Sequence, residues 1–220
     1  MKFSAIFKLM VVIFMAIVSQ LSLADEEQQV TVDGLHLVKD SNLTLVYAEP
    51  GADLGQYKRI YLDDAYIAFK KNWQRKQNTN RADQVSVEDM ERIKAELSSL
   101  FRQVFTRTLE KAGYQLVTER AEDVLLIKPA IINLDITAPD TRSANQVTSF
   151  AETAGEMTLY LELYDSMTDD LIAKALDRKE DRQTGYFQWQ NHVNNRAAAN
   201  RILQVWANVL KEGLDQAQSP

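Results

Sequence analysis

The sequence predicts an α/β (α+β) fold: a two-layer sandwich whose mostly antiparallel or mixed sheet is packed by two amphipathic helices. Three observations predict it. Met90, Ile93, Leu97, Leu100, Phe101, Val104, Phe105, Leu109 and Ala112 recur at steps of three and four, which makes one apolar stripe on a helix over about 87–111. Ala198, Ile202, Val205, Trp206, Val209 and Leu210 give a second stripe on a helix over about 195–216. Met157, Leu159, Leu161 and Leu163 alternate with Thr158, Tyr160, Glu162 and Tyr164, the period of a strand with one buried face.

The remaining elements follow in chain order. Residues 25–34 are polar and are expected to be a loose N-terminal segment, followed by one domain over 35–217. Leu35–Val38 and Leu43–Tyr47 alternate around the turn formers Asp40-Ser41-Asn42, and Pro50-Gly51 marks a loop. Arg59–Phe69 is a strand interrupted by Asp63-Asp64, and Asn72–Arg81 has so few apolar residues that it is expected to be a long exposed loop. Ser86 can cap the first long helix, with Glu88, Asp89 and Glu91 where its dipole favours negative charge, and Gly113 can end it. Tyr114–Val117 is a short strand and Asp123–Ile136 a longer one. Its run Val124-Leu125-Leu126-Ile127 suits a central strand covered on both faces, and Pro129 predicts a bulge or bend within it. Residues 138–153 are polar and are expected to be mobile, while Leu171, Ala173 and Ala175 supply the second arm of a hairpin with 157–163.

The N-terminus has the form of an export signal. Lys2 and Lys8 precede the apolar run Leu9–Val18, a polar break follows at Ser19-Gln20, and Ser22-Leu23-Ala24 places small residues before Asp25. The alternative, an uncleaved anchor, needs about 20 apolar residues, roughly twice this run. The expectation is therefore a cleaved signal peptide at 1–24, a soluble periplasmic product and no stable membrane anchor after cleavage. There is no cysteine, so neither a lipidated N-terminal Cys nor a disulfide is available. Removing residues 1–24 from the 220 leaves 196, with 23 Lys and Arg against 31 Asp and Glu and a net charge of −8. That balance argues against nucleic acid as a partner.

Several stretches together resemble a known family. They run from Val46-Tyr47-Ala48-Glu49-Pro50-Gly51-Ala52-Asp53-Leu54 to Tyr57-Lys58-Arg59, then Ala68-Phe69 and Trp73, and Ser86-Val87-Glu88-Asp89. Asp123-Val124-Leu125, Asn133-Leu134-Asp135-Ile136, Ala138-Pro139-Asp140, Ala154-Gly155-Glu156-Met157-Thr158-Leu159 and Glu162-Leu163-Tyr164-Asp165-Ser166 complete them. This pattern is similar to the bacterial exported family known as domain of unknown function 3313. The resemblance covers most of 35–210 and implies no activity, cofactor or catalytic residue. Many members look like lipoproteins, and the missing cysteine sets this chain apart from them.

Chemistry-bearing motifs are sparse. His36 and His192 are far apart with no ligand partner at short spacing, so no metal is expected, and no cofactor either. No G-x-S-x-G and no phosphate-cradling glycine loop occurs. Asp63 and Asp64 are adjacent in a strand and so point to opposite faces; with Asp135 and Asp140 they are read as strand-end and turn residues. Two clusters remain as candidate partner-binding sites. Lys70, Lys71, Trp73, Arg75 and Lys76 combine charge with an aromatic ring, which can dock an anionic polymer, a lipid headgroup or an acidic partner; alternatively Trp73 folds back over the sheet edge. Tyr186, Phe187 and Trp189 either line a groove or plug the sheet against the last helix, where Trp206 is read as core.

The functional expectation is a non-enzymatic binding or accessory module of the cell envelope. Its partner would be an unidentified envelope protein or polymer, recognised through loops 70–84 and 138–155. The alternative is a hydrolase of an envelope substrate using a carboxylate site without a local signature. A third reading, self-association into a scaffold, would require a large exposed apolar patch. The oligomeric state is left open.

Overall fold

The structure, a computed structural model, describes residues 29–79, 84–136, 149–151, 153–182, 188–190 and 192–218. The export signal at 1–24, Tyr186, Phe187 and most of 138–153 lie outside the described residues.

One mixed sheet carries eight strands: β1 (His36–Leu37), β2 (Leu45–Ala48), β3 (Arg59–Leu62), β4 (Tyr66–Phe69), β5 (Gln115–Leu116), β6 (Val124–Ile136), β8 (Thr153–Asp165) and β9 (Leu171–Arg182). Their order across the sheet is β1-β2-β9-β8-β6-β3-β5, and β4 pairs with β6 farther along the same edge as β3. The long strands β6, β8 and β9 are antiparallel neighbours, whereas β3, β4 and β5 run parallel to the strands they pair with. Parallel pairing needs a crossover, and the first long helix supplies it. A separate two-stranded sheet joins β7 (Ser149–Ala151), which falls in the stretch 138–153 expected to be mobile, to β10 (Gln188–Gln190). Thr153–Gly155, placed by sequence in a recognition loop, belongs to β8.

Three α-helices lie among the described residues: α1 (Trp73–Asn78), α2 (Val87–Lys111) and α3 (His192–Gln218). The Ser86 hydroxyl accepts from the Asp89 N–H, and the Asp89 carboxylate accepts from the Ser86 N–H in return, closing a capping box. The α2 stripe buries Ile93, Leu97, Leu100, Phe101, Val104, Phe105 and Leu109, with the Phe101 and Phe105 rings stacked 3.9 Å apart. On α3, Ala198, Ile202 and Trp206 are buried as expected, together with Leu203, Ala207 and Leu214. Val205, expected in the core, is 48% exposed. At about 100° per residue it stands about 160° around the helix from Leu203. Among the described residues no helix is long and apolar enough to cross a membrane.

Both helices cover one face of the sheet. Leu125, Ile127 and Ile131 of β6 and Met157, Leu159, Leu161 and Leu163 of β8 share a core cluster with their stripes. Asp177 of β9 lies beneath α3 at 2% exposure. Its carboxylate accepts from the Thr44 N–H (3.0 Å), the Thr44 hydroxyl (2.6 Å) and the Trp206 indole N–H (2.7 Å), with Lys179 Nζ at 3.1 Å.

Pro129 does not bend β6; it stays in register with Leu161. The carbonyl of Ile127 accepts from the Asp63 N–H at 2.9 Å. Two residues on, Pro129 turns its backbone toward the same side, where β3 has ended at Leu62 and β4 has not begun. Its missing N–H therefore costs no ladder bond. The irregularity falls instead between Ile132 and Asp135, where Asn133 has a φ of 53°. Residues 29–34 form a turn: the N–H of Thr31 donates to the Leu35 carbonyl at 2.8 Å, the N–H of Leu35 returns to the Thr31 hydroxyl at 3.2 Å, and Val30 bridges His36. Leu35, 2% exposed, fixes this turn.

Candidate functional site: the open face of the sheet

Strand pleating divides β6 and β8 strictly. Because the odd-numbered residues of 125–131 and 157–163 lie under the helices, Leu126, Lys128 and Ala130 of β6 and Tyr160, Glu162 and Tyr164 of β8 fall on the opposite face. Cross-strand register aligns them in rows: Tyr61, Leu126 and Tyr164; Lys128, Glu162 and Lys174; Tyr66, Ala130 and Tyr160. No described helix packs on this side, and Tyr66 is 67% exposed.

Hydrogen bonds fix the tyrosines. The Tyr160 hydroxyl donates to Glu162 Oε1 at 2.6 Å and the Tyr164 hydroxyl to Oε2 at 2.8 Å, so one carboxylate holds a phenol on either side. Lys128 Nζ lies 4.3 Å from the centre of the Tyr164 ring, a cation–π contact. The N-terminal turn closes the β9 side of this group, with Asp33 Oδ2 2.5 Å from Lys174 Nζ. Burial pushes the Tyr164 phenol up to about 12, helped by the hydrogen bond to Glu162 and by the charges of Glu162 and Asp33. Burial and the same carboxylate push Tyr160 higher still. Both phenols therefore stay neutral at physiological pH and act as hydrogen-bonding groups, not as bases or nucleophiles.

A second polar group lies where β6, β8 and β9 meet the end of β4. Lys70 Nζ bridges Asp135 Oδ2 (3.2 Å) and Glu156 Oε1 (2.6 Å), and Arg178 pairs with the other Glu156 oxygen. A glycosidase pair of carboxylates needs one acid held protonated. Lys70 and Arg178 instead hold the Glu156 carboxyl below the usual carboxylate range. The group is an ion-pair clasp. Asp64 likewise pairs with Arg102 at 2.7 Å, and Asp63 accepts from the Asp64 N–H at 3.0 Å. Among the described residues no three His, Cys, Asp or Glu side chains come together as a metal site.

The basic cluster expected around Trp73 is divided. Trp73 is 3% exposed, stacks on Phe69 at 4.2 Å and donates to the Ile136 carbonyl at 3.3 Å. The stretch is not a long exposed loop: six of its residues form α1, whose amide side chains grip the chain. Gln74 and Asn78 both donate to the Val85 carbonyl, at 3.0 and 3.1 Å, and Gln77 to that of Ile136 at 3.0 Å. The sequence did carry a signal, since Trp73 with Gln77 and Gln74 with Asn78 sit at i, i+4, but the anchoring residues are amides and not apolar. Lys70 is committed to the clasp, while Lys71, Arg75 and Lys76 are exposed. Of the second cluster, Trp189 is placed by its backbone alone, in β10. The open-face tyrosines do have a signal in the sequence, their alternation with the leucines of β8, but polar residues on the outer face of a strand are ordinary and do not by themselves mark a site.

The sequence model of the family described as "Protein of unknown function (DUF3313)" matches residues 29–210. The chain belongs to that family. None of the curated proteins compared with it matches. Among solved structures, the chain is similar to a Xanthomonas campestris protein of family DUF330, with 12% identity, 74% of this chain and 89% of the other covered, and a TM-score of 0.41. It is also similar to the PelC dodecamer from Paraburkholderia phytofirmans (9% identity, 76% and 96% covered, TM-score 0.39). A third likeness is to a minor lipoprotein from Acinetobacter baumannii (10% identity, 71% and 94% covered, TM-score 0.32).

Proposed function

We propose that this DUF3313 protein is a non-enzymatic binding module of the cell envelope, exported by its first 24 residues and working in the periplasm through the open face of its sheet. One observation carries this reading: Tyr160 and Tyr164 are locked onto a single carboxylate, Glu162, on a face that no described helix covers. Tyrosine rings held in one orientation offer contact area at little entropic cost, which is what recognition surfaces use. The same locking removes Glu162 as a free acid or base. The ion-pair clasp at Glu156 is neutralised in the same way, so the hydrolase alternative gains no support from either group.

Fractionation tests the compartment: the chain is expected in the periplasmic fraction, shortened at Ala24. Crosslinking in intact envelopes, comparing wild type with Tyr66→Ala plus Lys128→Glu and with Lys71→Ala plus Arg75→Ala, tests the face. Loss of crosslinked product in the first variant alone supports the reading. Unchanged product in the first variant removes the open face from consideration, and loss only in the second returns the site to α1.

A further inference from the structure

Resting on that reading, we propose that the open face binds an uncharged glycan chain along the row Tyr66–Ala130–Tyr160. The three positions are register partners on adjacent strands, so they share a face. Tyr66 and Tyr160 are therefore two strand spacings apart, about 9.5 Å, with only a methyl group between them. Two rings over a shallow floor give an extended sugar chain two stacking positions. The next row supplies polar partners for hydroxyl groups: the Lys128 ammonium is a donor, and Glu162 and the Tyr160 oxygen are acceptors.

Charge selects against ionic ligands. On this face Lys128 and Lys174 are matched by Glu162 and Asp33, and the chain as a whole carries −6. A polyanion would meet no excess of positive charge and would lie against two carboxylates. On β9 the row continues to Leu176, and the Asp33–Lys174 pair stands beside it at the end of the neighbouring row.

The test is affinity electrophoresis of the purified chain in gels containing dextran, hydroxyethylcellulose or galactomannan, with alginate as the polyanion. Retardation by at least one neutral glycan and not by alginate is expected. Tyr66→Ala, at an exposed position that leaves the core intact, weakens it about fivefold, the scale of one stacked ring. Tyr66→Phe retains most of the binding, and Val205→Ser on the far side of α3 is unchanged. Retardation by none of the neutral glycans, by alginate alone, or equally in Tyr66→Ala overturns the proposal. If no glycan binds while the envelope crosslink still depends on Tyr66 and Lys128, the glycan is wrong and the open face stands. If that crosslink is also indifferent to them, both fail.

Discussion

Replacing Asp177 by Asn tests how α3 is held to the sheet. The carboxylate uses Oδ1 for both Thr44 donors and Oδ2 for the Trp206 indole and Lys179. An amide keeps one acceptor and turns an N–H₂ toward the other set. Whichever way it faces, buried donors oppose each other, and at least one indole or backbone N–H goes without a partner. An unsatisfied buried donor costs about 1–3 kcal/mol, and the hydrogen bonds that remain lose their charge. We expect a loss of about 3 kcal/mol, which for a chain of this size lowers Tm by roughly 6–12 °C. The variant also changes the acid limb. Burial raises the Asp177 carboxyl, but the hydrogen bonds from Thr44, Trp206 and Lys179 outweigh it and leave it below the ordinary value. In the unfolded chain the group takes up its proton first, at about 3.9, so its stabilisation is present above that pH and disappears as pH falls through the lower folded value. Thermal unfolding across pH 3–7 measures both effects, on the ordinary carboxylate scale of about 4. A Tm unchanged at neutral pH, or an acid limb in the Asn variant as steep as in wild type, would refute the reasoning.

Two further outcomes follow from the structure. At Gly155 a Cβ would stand 2.2 Å from the Asp135 carbonyl oxygen, and the φ of +147° is one that side chains rarely adopt; Gly155→Ala should therefore cost at least about 2 kcal/mol in urea unfolding. A wild-type midpoint would show that β8 does not cross β6 this closely. The raised phenols of Tyr160 and Tyr164 predict an alkaline transition: the unfolded chain loses these protons first, near pH 10, so stability declines from there until the folded value of about 12 at Tyr164 is passed. Tyrosinate absorbance followed with pH should show a late-titrating class, and in Glu162→Gln Tyr160 and Tyr164 should titrate earlier within it without joining the main class, since burial, the larger cause, remains.

The sequence disclosed most where one physical term decides the outcome. The α2 boundaries, its Ser86 cap and its apolar stripe are set by local terms, and they match the structure at Val87–Lys111. The break at Asp63-Asp64 was equally plain, because two acids cannot continue a buried strand. Errors arose where two elements had to be known together. Pro129 suggests a bend only until the gap between β3 and β4 is seen to lie opposite it. Trp73 in a basic, amide-rich stretch looks exposed unless Phe69 and the Ile136 carbonyl are known to be its partners. On α3 an apolar count admitted Val205, because Val209 and Trp206 beside it drew the stripe too wide.

The open face was hidden for another reason. A search for chemistry looks for reactive residues, and an alternating strand is usually scored by its buried half. In β8 the leucines are what make the strand, but Tyr160, Glu162 and Tyr164 are what distinguish its outer face, since an outer face needs only polarity to stay in water. Three polar residues would meet that need without interacting. Here one carboxylate instead receives both hydroxyls, so each ring is tied to the same partner. Solvation alone does not call for that arrangement. The proposed binding role would use it, because rings ordered beforehand lose little freedom when a ligand is laid across them.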